Sequence, residues 1–395
     1  MDFLGAHWLT ILYAIIGPGA WLVFGFAMYK GRRRLQIRLA NPPAMDAWPR
    51  VSVLVPCRNE EAGIAACVRS ILAQDYPDFE LIAVNDRSVD STGRVLDEIA
   101  ARDPKLRVVH VADGEVPAGW MGKPAALVNG VKHTTGEWLV FIDSDCTLAP
   151  NAVREAIVTG VARKFDLVSF VPRYIGEGFW AGLMTPLCGI ATSGMFQIMY
   201  ANSAMQPKIA FACGQFIAIR RSVYDAIGGH AAVKDSAGED VELARILKRT
   251  GYRPRIGWGM DLITTRMYSG LGEIIRGWGR NFIAASRARP WRVLMASTFV
   301  ILCGLTVWPA LIFGDPLMRT VAVVHAILIT GILAVAYSQA GSSFVRALAW
   351  PMSSLMLLVL FAKSLWLCYT RRLTWRGGAV ELKSHPLPPA VPVRE

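Results

Sequence analysis

The chain has 395 residues, of which 53% are hydrophobic, and its mean hydropathy is +0.35. This is too apolar for an ordinary soluble protein, in which the apolar share, glycine included, is about half. The formal net charge of +12 would suit nucleic acid, but many basic residues stand beside apolar segments, in GRRR, SRARPWR and YTRR. That placement fits anionic lipid headgroups, so we expect membrane lipids and no nucleic acid as partners.

The chain opens with an uncharged segment, residues 7–29, which is long enough to cross a bilayer, since about 20 apolar residues suffice. The basic run KGRRR follows it directly. A cleaved signal peptide would carry its basic residues before the apolar run and a small-residue cleavage site after it. We therefore predict a retained transmembrane anchor over residues 1–30 and a basic linker over residues 31–49. By the positive-inside rule, the anchor ends in the cytosol.

From Val51 onward, short runs rich in β-branched residues alternate with segments whose apolar residues recur at helical spacing. The predicted strands are VSVLVP, ELIAVND, LRVVHV and EWLVFID, and the predicted helices lie in NEEAGIAACVRSILAQ, DSTGRVLDEIAA and GKPAALVNGVKHT. This alternation predicts an α/β fold with a mostly parallel sheet. Because ligands of such sheets bind at the carboxyl ends of the strands, the residues just past each strand are the candidates for a site. They are Pro56, Asn59 and Glu60, then Asp86, then Asp143 and Asp145.

The pair Asp143 and Asp145 follows a strand that we expect to be buried on both faces. Two carboxylates at the edge of a core repel each other, and they are costly to desolvate unless a positive partner lies between them. Mg²⁺ or Mn²⁺ would supply that partner, because these cations accept one or two protein carboxylates and complete their shell with phosphate oxygens. A solvated loop is the commoner reason for a lone D-x-D. The strand before the pair and Asp86 at the end of another strand favour a metal-bound diphosphate.

Asp86 and Lys123 each have a structural and a functional interpretation. Asp86, in VNDRSVDSTG, could cap the following turn, or its carboxylate could bind the base or ribose of a nucleotide laid across the strand ends. Lys123, in GWMGKPAAL, resembles part of a glycine-rich phosphate loop, but the spacing excludes a P-loop. A surface lysine at a helix start is the alternative.

A second acidic pair, Glu239 and Asp240, opens a predicted helix in SAGEDVELARILKRTGYR. Acidic residues in a first turn are often only partners of the helix macrodipole. This pair, however, follows FACGQFIAIRRSVYDAIGGH, a glycine-punctuated stretch typical of loops around a site, and a carboxylate at such a rim suits a general base. His230 has no second ligand at metal spacing, so we expect it to be structural.

Three more apolar runs occur toward the end of the chain. They lie at roughly residues 292–314, 320–338 and 347–369. We predict a transmembrane region over residues 291–370, in which Lys363 snorkels toward the near interface, and a tail over residues 371–395. One anchor plus three spans would put RRLTWRGG outside the cell, against the positive-inside rule. Either one run does not fully span the membrane, or the tail is an exception.

Two further segments have an ambiguous relation to the membrane. Residues 177–205 are apolar, rich in methionine and broken by Pro186. They could form a fifth span, but a helix in the interface or along an acceptor groove is favoured, since a span would separate the two halves of the catalytic domain. A helix near residues 271–285, with Trp278 and Phe282, could hold a site at headgroup height or cover the domain.

Seven motifs occur in one order: VLVPCRNEE, VNDRSVDST, GWMGKPAALVNG, FIDSDC, GQFIAIRRSVYDAIGGH, GEDVELA and TWRGG. Through them, residues 50–290 resemble the family 2 glycosyltransferases with a GT-A fold, and are similar to membrane-bound enzymes that glycosylate lipids, of the ceramide, hopanoid and carotenoid types. The resemblance implies a Rossmann-like, mixed and mostly parallel sheet in a cytosolic catalytic domain. It also implies a nucleotide-diphosphate sugar donor, often UDP-linked, a divalent metal and inversion at the anomeric carbon. The expected location is the cytoplasmic (inner) membrane, crossed several times.

The resemblance also assigns roles around the donor. Glu60 and Asp86 would hold the uridine, Asp143 would contact the diphosphate-sugar region, and Asp145 would ligate the metal together with Asp143. The other predicted donor-site residues are Pro56, Asn59, Lys123 and Gln215.

For the reaction itself, Asp240 would be the catalytic base and Glu239 would support it. The family's Q-x-x-R-W motif is not intact, and the nearest stretch, IIRGWGRNF, offers Arg276 and Arg280 at altered spacing. These cations could stabilise a departing diphosphate. Their altered spacing puts the role of each arginine in doubt and weakens a processive polysaccharide-synthase interpretation.

We therefore predict a membrane-integral, inverting, metal-dependent glycosyltransferase with a lipid hydroxyl acceptor. A processive polysaccharide synthase subunit is the alternative among enzymes, but it would need a translocation channel that so few spans do not provide. A non-catalytic, sugar-nucleotide-binding membrane scaffold is the alternative from another class. The intact Asp143, Asp145 and Asp240 argue against it, because a binding-only protein has no need of a base. A transporter fits least, since the spans lack paired ionisable residues. The sequence specifies neither sugar, lipid nor oligomeric state.

Overall fold

The computed structural model describes residues 3–176, 178–236, 238–268, 270–286, 289–370, 373–375 and 378–380. The chain forms two compact units. We call the first the sheet unit; it comprises residues 34–173 and 200–267. We call the second the helical unit; it comprises the described residues of 1–33, 174–199 and 268–384. Two stretches inside the predicted range 50–290, residues 174–199 and 268–290, thus group with the apolar helices.

The sheet unit is built on a mixed seven-stranded sheet. The strands in this part of the chain are β1 (Val51–Cys57), β2 (Phe79–Asp86), β3 (Leu106–Val111), β4 (Trp138–Ile142), β5 (Cys146–Leu148), β6 (Leu167–Val171), β7 (Arg173–Tyr174), β8 (Phe216–Arg220), β9 (Pro254–Trp258) and β10 (Ile263–Thr265). The strand order is β3-β2-β1-β4-β8-β6-β9, and β8 runs antiparallel to both of its neighbours while the other pairs are parallel. A small second sheet has the order β5-β10-β7. The predicted α/β fold with a mixed, mostly parallel sheet is confirmed.

Strands β1 and β4 are buried on both faces, as their nearly continuous apolar sequences require. Val53 and Val140 belong to the core on one face of the sheet, and Leu54 and Leu139 to the core on the other. Helices cover both faces, which is the usual arrangement for parallel strands. The helices of this unit are α3 (Ile64–Leu72), α4 (Thr92–Ala100), α5 (Gly122–Val131), α6 (Ala152–Ala162), α8 (Arg221–Ala226) and α9 (Glu239–Arg249).

The pairing register places the carboxyl ends of three strands at one edge of the sheet. Cys57 at the end of β1 lies opposite Asn85 in β2, and Leu54 lies opposite Phe141 in β4. The loops that follow β1, β2 and β4 therefore leave from the same edge, as the sequence predicted.

The helical unit contains five helices that are long and apolar enough to cross a membrane, judged by length and composition among the described residues. They are His7–Arg34, Gly178–Phe196, Pro290–Phe313, Pro316–Gln339 and Phe344–Thr370. The individual elements are α1 (Phe3–Ala14), α2 (Ala20–Arg34), α7 (Gly178–Phe196), α10 (Leu271–Ser286), α11 (Pro290–Val300), α12 (Val307–Phe313), α13 (Pro316–Gln339) and α14 (Trp350–Thr370). One π-helical turn, Ile15–Gly19, joins α1 to α2, and another, Ile301–Leu305, joins α11 to α12. The four predicted apolar runs each fall in one of these helices, and residues 178–196 of the ambiguous run form α7.

Contacts along α1 and α2 show that they run parallel to α13. His7 Nδ1 lies 3.7 Å from Asp315 Oδ2, just before α13 begins, and the Tyr13 hydroxyl lies 2.8 Å from His325 Nδ1 further along. We call the two ends of this unit the His7 end and the Arg33 end. Helix α13 begins at the His7 end and finishes at the Arg33 end.

The segment α11–α12 runs the opposite way. Trp21 donates a hydrogen bond to the carbonyl of Cys303, and the rings of Phe24 and Phe299 lie 6.4 Å apart. Later residues of α2 thus contact earlier residues of α11, so α11 begins at the Arg33 end.

Helix α14 finishes beside α10. The rings of Trp350 and Trp308 stack 6.3 Å apart, whereas near the other end of α14 Ser364 Oγ donates to the carbonyl of Gly279 at 2.8 Å. Because α10 ends just before α11 begins, α14 runs toward the Arg33 end.

Pro186 lies inside the buried part of α7 and has no N–H to give to the carbonyl of Gly182. Ser342 Oγ donates to that carbonyl at 2.8 Å, and the Tyr337 hydroxyl donates to the carbonyl of Leu183 at 2.6 Å. The backbone around the proline is therefore satisfied by side chains that follow or end α13.

The predicted helix near residues 271–285 forms as α10, but its aromatic rings pack inside the helical unit. Trp278 and Phe282 are both buried, and the ring of Phe282 lies 4.9 Å from that of Phe361 in α14. Both rings are therefore enclosed by apolar helices, while the position of the helix at headgroup height or over the catalytic domain stays a prediction. They contribute to the core among the apolar helices.

Strands β11 (Leu373–Trp375) and β12 (Gly378–Val380) form an antiparallel pair at the end of the described chain. The predicted tail from residue 381 onward lies outside the described residues.

Candidate active site

The loops after β1 and β2 are tied together by polar contacts. Asn59 Oδ1 accepts a hydrogen bond from the backbone N–H of Val89 at 2.9 Å, and the Asn59 N–H donates to Ser88 Oγ at 3.0 Å. The backbone N–H of Glu60 donates to Thr92 Oγ1 at 2.8 Å. Asn59 has φ +54°, a left-handed conformation that asparagine tolerates better than most residues. Asn59 thus has a structural contact here, and its contribution to donor binding stays a prediction.

Asp86 lies at the end of β2 and is 5% exposed. The next residue, Arg87, donates from Nε to Oδ1 at 2.7 Å and from Nη2 to Oδ2 at 3.1 Å. A β-carbon on Gly122, the first residue of α5, would lie 3.1 Å from Asp86 Oδ2. Asp86 is therefore held in place beside the start of α5. The sequence placed Arg87 next to Asp86 but gave no sign of this two-point contact.

The cation found beside Asp143 is Lys123. Lys123 Nζ lies 2.6 Å from Asp143 Oδ1 and 2.7 Å from Glu239 Oε1. Burial by itself would lower the pKa of Lys123, but the negative charges of Asp143, Glu239 and Asp240 raise it well above its usual value. The lysine is therefore firmly protonated and links the strand end of β4 to the first turn of α9.

The carboxyl group of Asp145 is buried and interacts with the charges of two other acids, Asp143 and Glu60. Burial, followed by the charge of Asp143, raises the pKa of Asp145 to about 6, and Glu60 contributes in the same direction. Its Oδ1 accepts a weak hydrogen bond from Cys146 Sγ at 3.4 Å. The ionised form of Asp145 is thus under-compensated, which is the condition that a bound cation would relieve.

A divalent metal fits this pair of carboxylates. Across the described part of the chain, no group of three or more histidine, cysteine or acidic side chains could hold a metal ion. Two aspartates are nevertheless the usual protein contribution to a Mg²⁺ or Mn²⁺ that is also bound by phosphates. The residues that would hold it are Asp145 and Asp143, and this assignment stays a prediction.

Asp240 is fixed by two backbone amides. Its Oδ2 accepts from the N–H of Gly214 at 2.7 Å, and its Oδ1 accepts from the N–H of Val241 at 2.8 Å. Burial, followed by the charge of Glu239, raises the pKa of Asp240 to about 7, while Lys123 opposes that rise. A carboxylate with a pKa near neutrality is suited to accept a proton at physiological pH.

Gly214 is a site residue that the sequence did not single out. A β-carbon there would lie 3.0 Å from Lys123 Nζ and 3.1 Å from Asp240 Oδ2, so the position is tight for any larger residue. The dipeptide Cys213-Gly214 just before β8 was the only sequence signal. Beside it, Gln215 is buried, with its side-chain oxygen accepting from Cys213 Sγ at 2.9 Å and its nitrogen 3.5 Å from Thr265 Oγ1.

The remaining predicted residues are less closely associated with this cluster. Pro56 lies in β1 opposite Val84. Arg276 and Arg280 lie on α10, in the helical unit. The structure brings three predicted residues into direct contact or close charge interaction with Lys123, namely Asp143, Glu239 and Asp240.

His230 has the structural environment that the sequence predicted. It is buried, its Nδ1 lies 3.0 Å from the Tyr224 hydroxyl, and its ring meets the edge of Phe141 at 4.7 Å. Burial, followed by the charge of Lys123, lowers its pKa to about 3, so it is neutral.

Comparison with known proteins identifies this class of site. Residues 52–228 match the family model of glycosyl transferase family 2. A mannosyltransferase from Pyrobaculum calidifontis, solved with GDP-Man and Mn²⁺, shares the fold, with a TM-score of 0.56 and 20% identity, over 90% of this chain and 98% of that one. Residues 52–228, somewhat under half of the chain, therefore match a family 2 glycosyltransferase domain, and the fold is of the GT-A type.

Two relatives in sequence carry the same enzyme name. The 4,4'-diaponeurosporenoate glycosyltransferase of Staphylococcus haemolyticus (strain JCSC1435) is 24% identical over 298 residues, which cover 74% of this chain and 76% of that protein. The enzyme of the same name from Staphylococcus aureus (strain USA300) is 25% identical over 292 residues, 73% of this chain and 74% of that protein. The predicted resemblance to carotenoid-type glycosyltransferases is confirmed.

Proposed function

We propose that this protein is a membrane-integral, inverting glycosyltransferase that moves a sugar from a nucleotide-diphosphate sugar to a lipid acceptor. The observation that carries the proposal is the position of Asp240. Two backbone amides hold its carboxylate in the first turn of α9, beside the lysine that also contacts Asp143. Asp143 of the D-x-D motif and Asp240, the proposed base, thus both interact with the charge of Lys123.

The donor would lie across the carboxyl edge of the sheet. In this proposal Glu60 and Asp86 hold the nucleoside, and Asp143 contacts the diphosphate-sugar region. The residues that line the rest of the donor site are Pro56, Asn59, Lys123 and Gln215. A divalent cation held by Asp145 and Asp143 would, when bound, stabilise negative charge on the departing diphosphate. Arg276 and Arg280 are proposed to add positive charge to the same leaving group.

Asp240 acts as the general base. A carboxylate has about four lone-pair positions, and the amides of Gly214 and Val241 occupy two of them, so others can accept a proton. The acceptor hydroxyl gives its proton to Asp240 while its oxygen attacks C1 from the face opposite the diphosphate. The C1–oxygen bond to the diphosphate breaks, and its electron pair leaves with the nucleotide. Attack from the opposite face inverts C1.

The acceptor is proposed to be a lipid because of the helical unit and the relatives. Five apolar helices would keep the enzyme in a membrane, where a lipid is available. The similar staphylococcal proteins are named for a carotenoid acceptor. A processive synthase would need a channel that these helices do not supply.

The proposal is tested by nucleotide release from a panel of UDP- and GDP-sugars. Detergent-solubilised protein is incubated with membrane lipid extract, with and without Mn²⁺ or Mg²⁺. Release that requires both lipid and metal, together with a glycolipid product, is the expected result. Binding of a sugar nucleotide without turnover under any of these conditions would support the scaffold alternative instead.

We further propose that the chain leaves α14 on the cytosolic side of the inner membrane. Helix α2 ends at Arg34, where the sheet unit begins, so the chain passes from the Arg33 end of the helical unit directly into the sheet unit. Helix α14 runs toward that same end, and the 3₁₀ segment Phe344–Ala349 leads back into the helical unit after α13. The last apolar run then does not fully span the membrane. This answers the charge conflict raised by RRLTWRGG, because its arginines would follow the positive-inside rule.

Reporter fusions test this topology. A green fluorescent protein fused after Glu395 should fluoresce, and alkaline phosphatase at the same position should be inactive, because the first folds in the cytosol and the second only outside it. As a matched control, phosphatase inserted after Asp315, at the His7 end, should be active. The opposite pattern at the C-terminus would mean that α14 crosses the membrane completely.

A further inference from the structure

Lys123 contacts two carboxylates that belong to different parts of the sheet unit. Its Nζ is 2.6 Å from Asp143 Oδ1, at the end of β4, and 2.7 Å from Glu239 Oε1, in the first turn of α9. A strand end in the centre of a sheet is rigid, whereas a helix start following a loop depends on its contacts. Lys123 therefore connects the rigid end of β4 to the start of α9, whose position depends on such contacts.

Glu239 has a strong requirement for this cation. It is 8% exposed, and a buried carboxylate without a partner is costly. The Lys123 side chain is 25% exposed, so the pair is shielded from water on the Glu239 side and open on the lysine side. This contact therefore differs from an ordinary surface ion pair.

The start of α9 is joined to the site by further contacts. Its N-cap, Gly238, provides no side-chain hydrogen bond, and three acidic residues crowd the first turn. The N–H of Gly214 holds Asp240 Oδ2, and the N–H of Met121, two residues before Lys123, donates to the carbonyl of Lys234 at 2.7 Å. The first contact attaches the first turn of α9 to the loop before β8. The second attaches the segment before α9 to the residues just before α5.

We propose that Lys123 is a positioning residue for the general base: by holding Glu239 against Asp143, it fixes the first turn of α9 and with it the carboxylate of Asp240. This role rests on the proposed function of Asp240. It replaces the donor-lining role given to Lys123 in the proposed function, because the lysine acts on the reaction through Glu239. Loss of a positioning residue lowers kcat, since a displacement of about 1 Å at a reacting group can cost 100-fold. Loss of a donor ligand instead weakens nucleotide binding.

A double-mutant cycle with Lys123→Met and Glu239→Gln separates these roles. Lys123→Met should lower kcat by about 100-fold and leave the Kd for the nucleotide diphosphate within about threefold of wild type. Glu239→Gln should also lower kcat. The kcat of the double variant should be no more than about threefold below that of Lys123→Met. Contacting residues in one network are non-additive in this way. Lys132→Met, at the C-cap of the same helix and hydrogen-bonded to Asn129 Oδ1, is the matched control and should keep wild-type values.

Thermal unfolding of the donor-free protein supplies a readout that does not depend on turnover. Lys123→Met should lower Tm because it leaves Glu239 buried without its cation, and adding Glu239→Gln should recover part of that loss. If the wild type transfers no sugar, the proposed function fails, while this recovery still establishes the Lys123–Glu239 link. Should Lys123→Met not fold, Lys123→Arg replaces it in the cycle. Additive effects on both Tm and kcat, or a tenfold weaker Kd with unchanged kcat, would overturn the positioning role.

Discussion

Asp240→Asn is expected to lower the rate of sugar transfer by about 1,000-fold, within the range that a general base contributes. Asparagine keeps the size of the side chain, and its oxygen can still accept from one of the two amides that hold Asp240. The Kd for the nucleotide diphosphate should therefore stay within about threefold of wild type. The measurement is glycolipid formation at saturating donor, combined with nucleotide binding by calorimetry. Glu242→Gln is the control, because Glu242 lies in the same helical turn but pairs with Arg245.

The pH dependence of transfer provides a second readout for the same residue. A general base must be unprotonated, and the pKa of Asp240 is raised to about 7 by burial and by Glu239. Transfer by the wild type should therefore rise with pH up to about 7 and level off above it. The residual activity of Asp240→Asn should lack this rise.

One outcome would change the proposed acceptor group. If Asp240→Asn kept most of its activity, the acceptor oxygen would need no proton removed. The relatives are named for diaponeurosporenoate, a carboxylate, and a carboxylate acceptor is already ionised at neutral pH. An active Asp240→Asn variant with no pH dependence near 7 would thus contradict a hydroxyl acceptor and favour a carboxylate one.

Asp145→Asn should lower the rate of sugar transfer at least about 100-fold. The same substitution should stabilise the donor-free, metal-free protein against unfolding. The pKa of Asp145 is raised to about 6 by burial and by Asp143. A carboxylate whose folded pKa is raised contributes fully to stability below its unfolded pKa, near 4, and loses that contribution as pH rises through the folded value. The gain in Tm for Asp145→Asn should therefore be a few degrees above pH 7 and vanish below pH 4.

Metal addition completes this test. Mn²⁺ with a nucleoside diphosphate should raise the Tm of the wild type by mass action and have little effect on Asp145→Asn. Asp75→Asn, which removes an exposed partner of Arg154, is the control and should respond to Mn²⁺ like the wild type. A wild-type-like metal response in Asp145→Asn would exclude Asp145 as a metal ligand.

Much of the fold could be predicted because its signals are local. The alternation from Val51 to Asp143 gave the strands and helices of the α/β half, since burial on both faces of β1 and β4 requires continuous apolar runs. The helix that opens at Glu239 was predicted from its first-turn acids and apolar spacing, and α9 begins at that residue. The amphipathic pattern around Trp278 and Phe282 indicated one buried face, but it did not show that this face packs against Phe361 of α14.

The candidate site was predicted in part for the same reason. Acidic residues at strand ends were visible in the sequence, and the carboxyl edge of a parallel sheet gathers them by topology. Asn59 shows where prediction from the sequence stops. Its left-handed backbone and its hydrogen bond with Val89 stabilise the loop, and no motif indicates this structural role.

The sequence by itself determined the strand–helix order, the acidic pairs and the apolar helices, because each depends on the spacing of neighbouring residues. Only the tertiary structure decided that Lys123 is the cation between Asp143 and Glu239, that the amide of Gly214 holds Asp240, and that α14 runs back toward the Arg33 end. Each of these depends on contacts between residues far apart in the chain. Local periodicity fixes which face of an element is buried, but the partner on that face is chosen by the packing of the whole unit.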